Sequence, residues 1–130
     1  MKDILVPLSP GELLDKITIL RIKVARIQDA GKLANVKLEL SLLEQTWRDC
    51  GGEACDVALE LRALQNVNER LWDIEDRIRD KEARQTFDRD FIELARAVYV
   101  CNDERAAIKK RINLQLGSRI VEEKSYKQYR

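Results

Sequence analysis

Apolar residues recur at steps of three and four along most of the chain. Between 88 and 116, Phe91, Leu94, Val98, Cys101, Ile108, Ile112 and Leu116 fall on one helical face at about 100° per residue. Upstream, Val57, Leu61, Leu64, Val67, Leu71, Ile74 and Ile78 make the same kind of stripe. Folded back about Thr86, the two stripes match rung for rung: Ile78 faces Leu94, Ile74 faces Val98, Leu71 faces Cys101 and Leu64 faces Ile108. This predicts a long antiparallel hairpin of helices over 54–84 and 88–116, the second capped by Thr86 or Asp88. One residue breaks the seam. Arg105 lies inside the second stripe, with Asn102 and Lys109 on its border and with Val67 and Asn68 opposite.

The first half of the chain has its own punctuation. Residues 1–8 read as an extended arm. Ser9, Pro10 and Glu12 are a cap, a first-turn proline and the acid of a capping box, so a first helix is expected over 9–30. Its main stripe is Leu13, Ile17, Leu20, Val24 and Ile27, with Ile19 and Ile22 almost opposite. A helix apolar on two sides is either central or lends one face to a partner subunit. A second stripe, Leu33, Val36, Leu40, Leu43 and Trp47, predicts a helix over 32–49. Either the chain turns at Asp29-Ala30-Gly31 or one kinked helix carries both stripes. The glycine after the last periodic residue favours the turn. Cys50-Gly51-Gly52-Glu53 reads as a loop, Gly117 ends the last helix, and 117–130 form a charged tail.

Composition supports this all-α reading. Charged residues are 36% of the 130 and aromatics 5%, a balance that suits long amphipathic helices with wide solvated faces. The net charge is +1 with both signs interleaved, so a nucleic-acid-binding role is not expected. No stretch reads as a signal peptide, a membrane span or a lipidation site. Three cysteines, Cys50, Cys55 and Cys101, have no framework spacing, which points to a reducing cytoplasm without required disulfides. Histidine is absent, so nucleophile–histidine catalysis is excluded and the usual imidazole zinc ligand is missing. No cofactor and no resident metal are expected.

Several groupings have chemical potential. Glu12 and Lys16 are an i,i+4 pair with Asp15 alongside: a surface pair at a helix start, or a carboxylate pair for magnesium with a lysine for phosphate. Asp73, Glu75 and Asp76 resemble the helical acids of all-α nucleotide pyrophosphatases. Those sites need acids converging from facing helices, and the complete pattern is missing. These three read as a solvated flank beside Arg70, Arg77 and Arg79, and Lys109-Lys110-Arg111 as a solvated charge run. Trp47 and Trp72 read as core or interface. Arg105 differs, because a buried guanidinium must find acceptors. Asn68 and Asn102 satisfy it only in part, and a carboxylate from the first helix, Asp15 or Glu12, completes the set. The layer is then either a structural device that sets register or oligomer state, or an anion pocket lined by Lys16, Arg105 and Lys109.

The blocks SPGELLDKITILRIK (Ser9 to Lys23), LWDIEDRIR (Leu71 to Arg79), NDERAAIKKRIN (Asn102 to Asn113) and EEKSY (Glu122 to Tyr126) resemble those of a small bacterial family of unknown function. The resemblance spans nearly the whole chain. It implies an accessory role near surface-glycan assembly by association alone, and it supplies no catalytic residue. Leu61 to Arg79 also resembles the three-helix chorismate mutases. Their converging arginines, lysine and glutamate are not matched, and that reading is set aside.

The expectation is therefore one all-α domain: a long hairpin packed on two shorter helices with extended arms. Self-association, most simply as a two-fold dimer, and a protein partner are expected, with no nucleic acid and no membrane. Ligand-binding candidates are Glu12, Asp15, Lys16, Asn68, Asn102, Arg105 and Lys109. The alternative is a small enzyme or binding protein for an anionic metabolite such as a nucleotide sugar.

Overall fold

The computed structural model describes residues 1–129. Among these are four α-helices and no strand: α1 Pro10–Arg26, α2 Ala30–Asp49, α3 Ala58–Ala83 and α4 Arg89–Gln115, with a 3-10 turn at Gly52–Ala54. Residues 1–8 are an exposed arm without regular structure.

The local causes of each boundary are visible. Ser9 Oγ accepts the Glu12 N–H at 3.2 Å and Pro10 opens the first turn. Glu12 does not turn back to close a capping box; its carboxylate goes to Lys109 at 2.5 Å instead. α1 stops at Arg26, four residues before the expected end at 30, because the chain turns earlier, at Ile27–Asp29. Asp29 decides this. Its carboxylate accepts the Lys32 N–H at 2.9 Å and starts α2, which draws Gly31 into the new helix rather than leaving it as a stop. Two separate helices result, not one kinked helix. α3 begins at Ala58 rather than 54, since the chain after the α2 loop first makes the 3-10 turn beneath Trp47. A Cβ on Gly52 would lie 2.0 Å from that indole, so the close approach requires glycine.

Both long helices end in the same motif. After α3, Thr86 N–H reaches Lys81 O (3.0 Å) and Gln85 N–H reaches Glu82 O (3.0 Å), with Gln85 at φ 53°. After α4, Ser118 N–H reaches Asn113 O (2.8 Å) and Gly117 takes φ 65°. Asp88, one of the two expected caps, starts α4 by accepting Phe91 N–H at 3.0 Å.

α3 and α4 pack on one another in opposite directions. Lys81–Asp88 (2.8 Å) ties them near the loop, Arg70–Glu104 (2.7 Å) at mid-length, and Gln115 Nε2 donates to Asp56 O (2.5 Å) at the far end. The deepest burial is between Leu64, Val67 and Leu71 on α3 and Cys101, Ile108 and Ile112 on α4, where α1 covers the pair. Nearer the loop, Ile74, Ile78, Phe91 and Val98 are only half-buried.

The two shorter helices are not equivalent. α1 packs on α3 and α4, whereas α2 packs on α1 and the 3-10 turn but not on α3 or α4, which corrects the expected placement of both against the long pair. α1 is therefore the central helix. Its Asp15, Thr18 and Arg26 face α3 and α4, while Arg21 and Val24 face α2. On the second apolar face of α1, Ile22 is buried within the chain while Ile19 is only half-buried. No helix is long and apolar enough to cross a membrane among the described residues.

Candidate functional site

The polar layer at Arg105 is built from three helices. Asp15 sits in the second turn of α1 with its side chain fully inside the protein. Asn68 Nδ2 donates to Asp15 Oδ1 at 2.9 Å from α3, and Arg105 Nε donates to the same oxygen at 2.9 Å from α4. Arg105 Nη2 binds the second oxygen, completing a two-pronged pair. Lys109 Nζ lies 3.6 Å from Asp15 Oδ2 and also reaches Glu12. Asn68 Nδ2 additionally donates to Thr18 Oγ1 at 3.0 Å, and Thr18 in turn donates to the Asp15 carbonyl at 2.8 Å. No buried side-chain nitrogen or oxygen lacks a partner among the described residues.

These contacts set the ionisation. Burial pushes the Asp15 carboxyl up, but hydrogen bonds from Arg105 and Asn68 and the charges of Arg105 and Lys109 outweigh it, leaving the group below its usual range. Burial pulls Lys109 down, and Glu12, Asp15 and Glu122 together hold it above its ordinary value. Arg105 is raised chiefly by its bond to Asp15. All three are charged at neutral pH.

Of the sequence candidates, the structure brings Glu12, Asp15, Asn68, Arg105 and Lys109 together. It leaves Lys16 out: Lys16 points outward, and among the described residues it has only Glu12, at 3.9 Å. Asn102 stands beside the layer, where it lines an open depression of about 400 Å³ with Ile19, Trp72 and Arg105, and its carbonyl accepts from Lys124 at 3.5 Å. Arg105 keeps 29% of its side chain exposed at this depression. Elsewhere, Asp73 pairs with Arg26 of α1 rather than with its neighbouring arginines, and Arg26 also lies over the Trp72 ring at 5.9 Å. The described residues hold no group of three or more acids, cysteines or histidines placed for a metal ion.

Sequence reasoning missed Thr18 in the layer and Asn113 at the nearby α1–α4 contact. Thr18 carries no periodic signal of its own. Asn113, next to Ile112 on α4, has its side chain buried and accepts the Gly11 N–H at 2.7 Å. That amide belongs to the first turn of α1, so Asn113 serves as a second cap supplied by another helix. A Cβ on Gly11 would lie 2.6 Å from the Lys109 carbonyl, which is why α1 and α4 meet at a glycine. The charged tail runs back along α4: Glu122 meets Lys109 (3.4 Å), Glu123 meets Lys110 (2.9 Å) and Lys124 meets Asp103 (3.7 Å). Tyr129 donates to Asp103 at 2.7 Å and packs edge-on against Tyr99. Residue 130 lies outside the described residues.

No curated protein and no solved structure matches the chain. A family model does, over residues 4–129, and it takes in the arm, all four helices, the Asp15–Arg105 layer and the tail that returns along α4. The chain belongs to a family of unknown function, DUF6165.

Proposed function

We propose that the chain is a non-enzymatic, self-associating helical module, one unit over 1–130, that serves as a docking or accessory protein. The observation that carries this reading is the saturation of the Asp15 layer. Asp15 takes three donors, Arg105 gives both prongs of its guanidinium to Asp15, and Lys109 is ringed by Glu12, Asp15 and Glu122. Charges neutralised inside the fold are better suited to fixing how three helices dock than to holding a charged substrate. A cytoplasmic setting and a protein partner follow the same reading, and surface-glycan assembly is the partner class that the family resemblance implies.

The rival reading is a binding site for an anionic metabolite such as a nucleotide sugar. It is favoured by the open depression at Arg105, where part of a guanidinium and the Trp72 ring share one surface. Thermal shift against a panel of nucleotide sugars and sugar phosphates, with and without magnesium, decides between them. The module reading expects no ligand to raise the melting temperature. A saturable shift that disappears in Arg105→Leu/Asp15→Asn transfers the function to the pocket.

A further inference from the structure

Residues 1–8 lie outside the packed helices, and no hydrogen bond or ion pair holds them to the rest of the chain among the described residues. Their composition does not suit a solvated arm. Ile4, Leu5, Val6 and Leu8 are 78%, 91%, 65% and 41% exposed, a run of aliphatic surface that water disfavours. On the body, α3 and α4 enclose a groove of about 500 Å³ floored by Ile74, Leu94, Ala97 and Cys101. Its lining on α4 runs from Asp90 to Cys101, about 16 Å along the helix axis. Five extended residues, Lys2 to Val6, also cover about 16 Å. Most charges on the rim are already matched: Arg70 pairs with Glu104 at 2.7 Å, Asp73 with Arg26, Glu93 with Arg89 and Arg96, and Asp90 loosely with Lys81 at 4.0 Å. Arg77 is the exception, with no ion pair or hydrogen bond among the described residues.

We propose that this groove receives the arm of a second copy, each chain lending residues 2–6 to the other. The inference rests on the self-association reading above and names the surfaces that carry it. Chain length rules out the chain's own arm. Gly11 packs at Lys109, about 18 Å along α4 from Ala97 at the middle of the groove. α1 runs from there toward Arg105, so Ser9 stands on the far side of Gly11. Val6 is three residues from Ser9 and can lie at most about 11 Å from it, short of the groove. Charge then selects the arm of another copy. Asp3 is unpaired among the described residues, as Arg77 is, and Lys2 likewise. With Asp3 beside Arg77 and Lys2 toward Asp90, Ile4 and Val6 continue along the apolar floor, both on the same side of an extended chain. Because each chain has one arm and one groove, a single two-fold axis satisfies both, as in other exchanges of an identical segment.

The test is sedimentation equilibrium of the full chain, wild type beside variants whose fold is checked by circular dichroism. Ile4→Glu/Val6→Glu alters only side chains that are exposed in the single chain, so its helix content and cooperative melt should be unchanged. The expected result is a wild-type dimer whose dissociation constant rises about 100-fold or more in that variant. Asp3→Arg and Arg77→Asp should each weaken the dimer, and the two together should restore it. The seat of the arm is read with a fluorescent peptide of residues 1–8. It should bind full-length Ile4→Glu/Val6→Glu saturably, and about tenfold more weakly once Arg77→Asp is added. Exchange is read by oxidation of Asp3→Cys/Arg77→Cys, with Cys50 and Cys55 replaced by serine and Cys101 by alanine, which should link two copies covalently. A wild-type chain that is monomeric at every concentration overturns self-association itself. A dimer untouched by Ile4→Glu/Val6→Glu overturns only the arm exchange. Peptide binding that ignores Arg77→Asp overturns the groove as its seat, and a disulfide closed within one chain overturns the exchange between copies.

Discussion

Asp15 and Arg105, ninety residues apart in sequence, meet in a two-pronged ion pair in which Asp15 is fully enclosed and Arg105 reaches it from the rim. Asn68 shares one of the Asp15 oxygens, so a single carboxylate joins α1, α3 and α4. The pair is more a registration device than a source of net stability, because the cost of desolvating both charges offsets much of their attraction.

Removing one partner should therefore cost more than removing both. Arg105→Ala leaves the Asp15 charge enclosed with only Asn68 and Lys109 near it. Since Arg105 keeps 29% of its side chain exposed and water can enter the gap, the loss expected is about 2–4 kcal/mol, somewhat below the ~3–5 kcal/mol of a fully buried pair that is broken. Arg105→Leu/Asp15→Asn should recover part of that loss. Urea titration of the three variants checks this; a double variant no better than Arg105→Ala would show that the pair is net stabilising.

The α1–α4 contact makes a second prediction. Gly11→Ala places a methyl group 2.6 Å from the Lys109 carbonyl, backbone that cannot swing aside. Destabilisation by about 1–3 kcal/mol is expected, as for an overpacked core. Asn113→Ala should cost about 1–3 kcal/mol by a different route, since it leaves the Gly11 amide without its acceptor. Thermal melts measure both, and the two losses should not add, because each variant loosens the same contact.

Deleting residues 119–130 should loosen α4 without unfolding the protein. The ion pairs formed by Glu123 and Lys124 are exposed and contribute little each. The Tyr129–Tyr99 contact and the Glu122–Lys109 pair contribute more, and a fall in melting temperature of about 3–5 °C is expected. Hydrogen exchange should quicken along α4 from Tyr99 to Lys110. An unchanged melting temperature together with unchanged exchange would mean that the tail contributes nothing to the fold.

Stability should be flat through neutral pH and fall at both ends. Asp15 is held below its ordinary 3.8, so its contribution is complete above that value and is lost as pH drops through its lower folded value. Lys109 is held above 10.5, so its contribution is complete below that value and is lost as pH rises through its higher folded value. Denaturant titrations from pH 2 to 7 should show the acid loss shrink in Arg105→Leu/Asp15→Asn. An identical acid slope in that variant would remove Asp15 as its source.

The helices, and even the pairing of Asn68 with the level of Arg105, were legible in the order of residues. Periodicity reports which side of a helix avoids water, and two matching stripes report that they avoid it together. Arg105 was recognisable because a guanidinium in an apolar seam demands an acceptor, and Asp15 was within reach of any helix that covered the seam. The turn between α1 and α2 was legible but misplaced, because Gly31 as a stop and Asp29 as a cap compete locally and only the hydrogen bond to Lys32 decides.

Three things required the folded chain. Which face of α1 each neighbour covers depends on how α2 and the long pair divide a two-sided helix, and periodicity gives two faces without saying what fills them. Asn113 as the acceptor for Gly11, and the return of the tail onto Lys109 and Lys110, join residues whose local sequence has no regular signature. The exposure of Leu38 and Leu42 is likewise a matter of what does not cover them. Sequence determines the pattern on each helix, because side-chain direction follows the helical period. The assignment of those faces to neighbours, to the tail or to solvent is made only in three dimensions, where all the faces compete for the same partners.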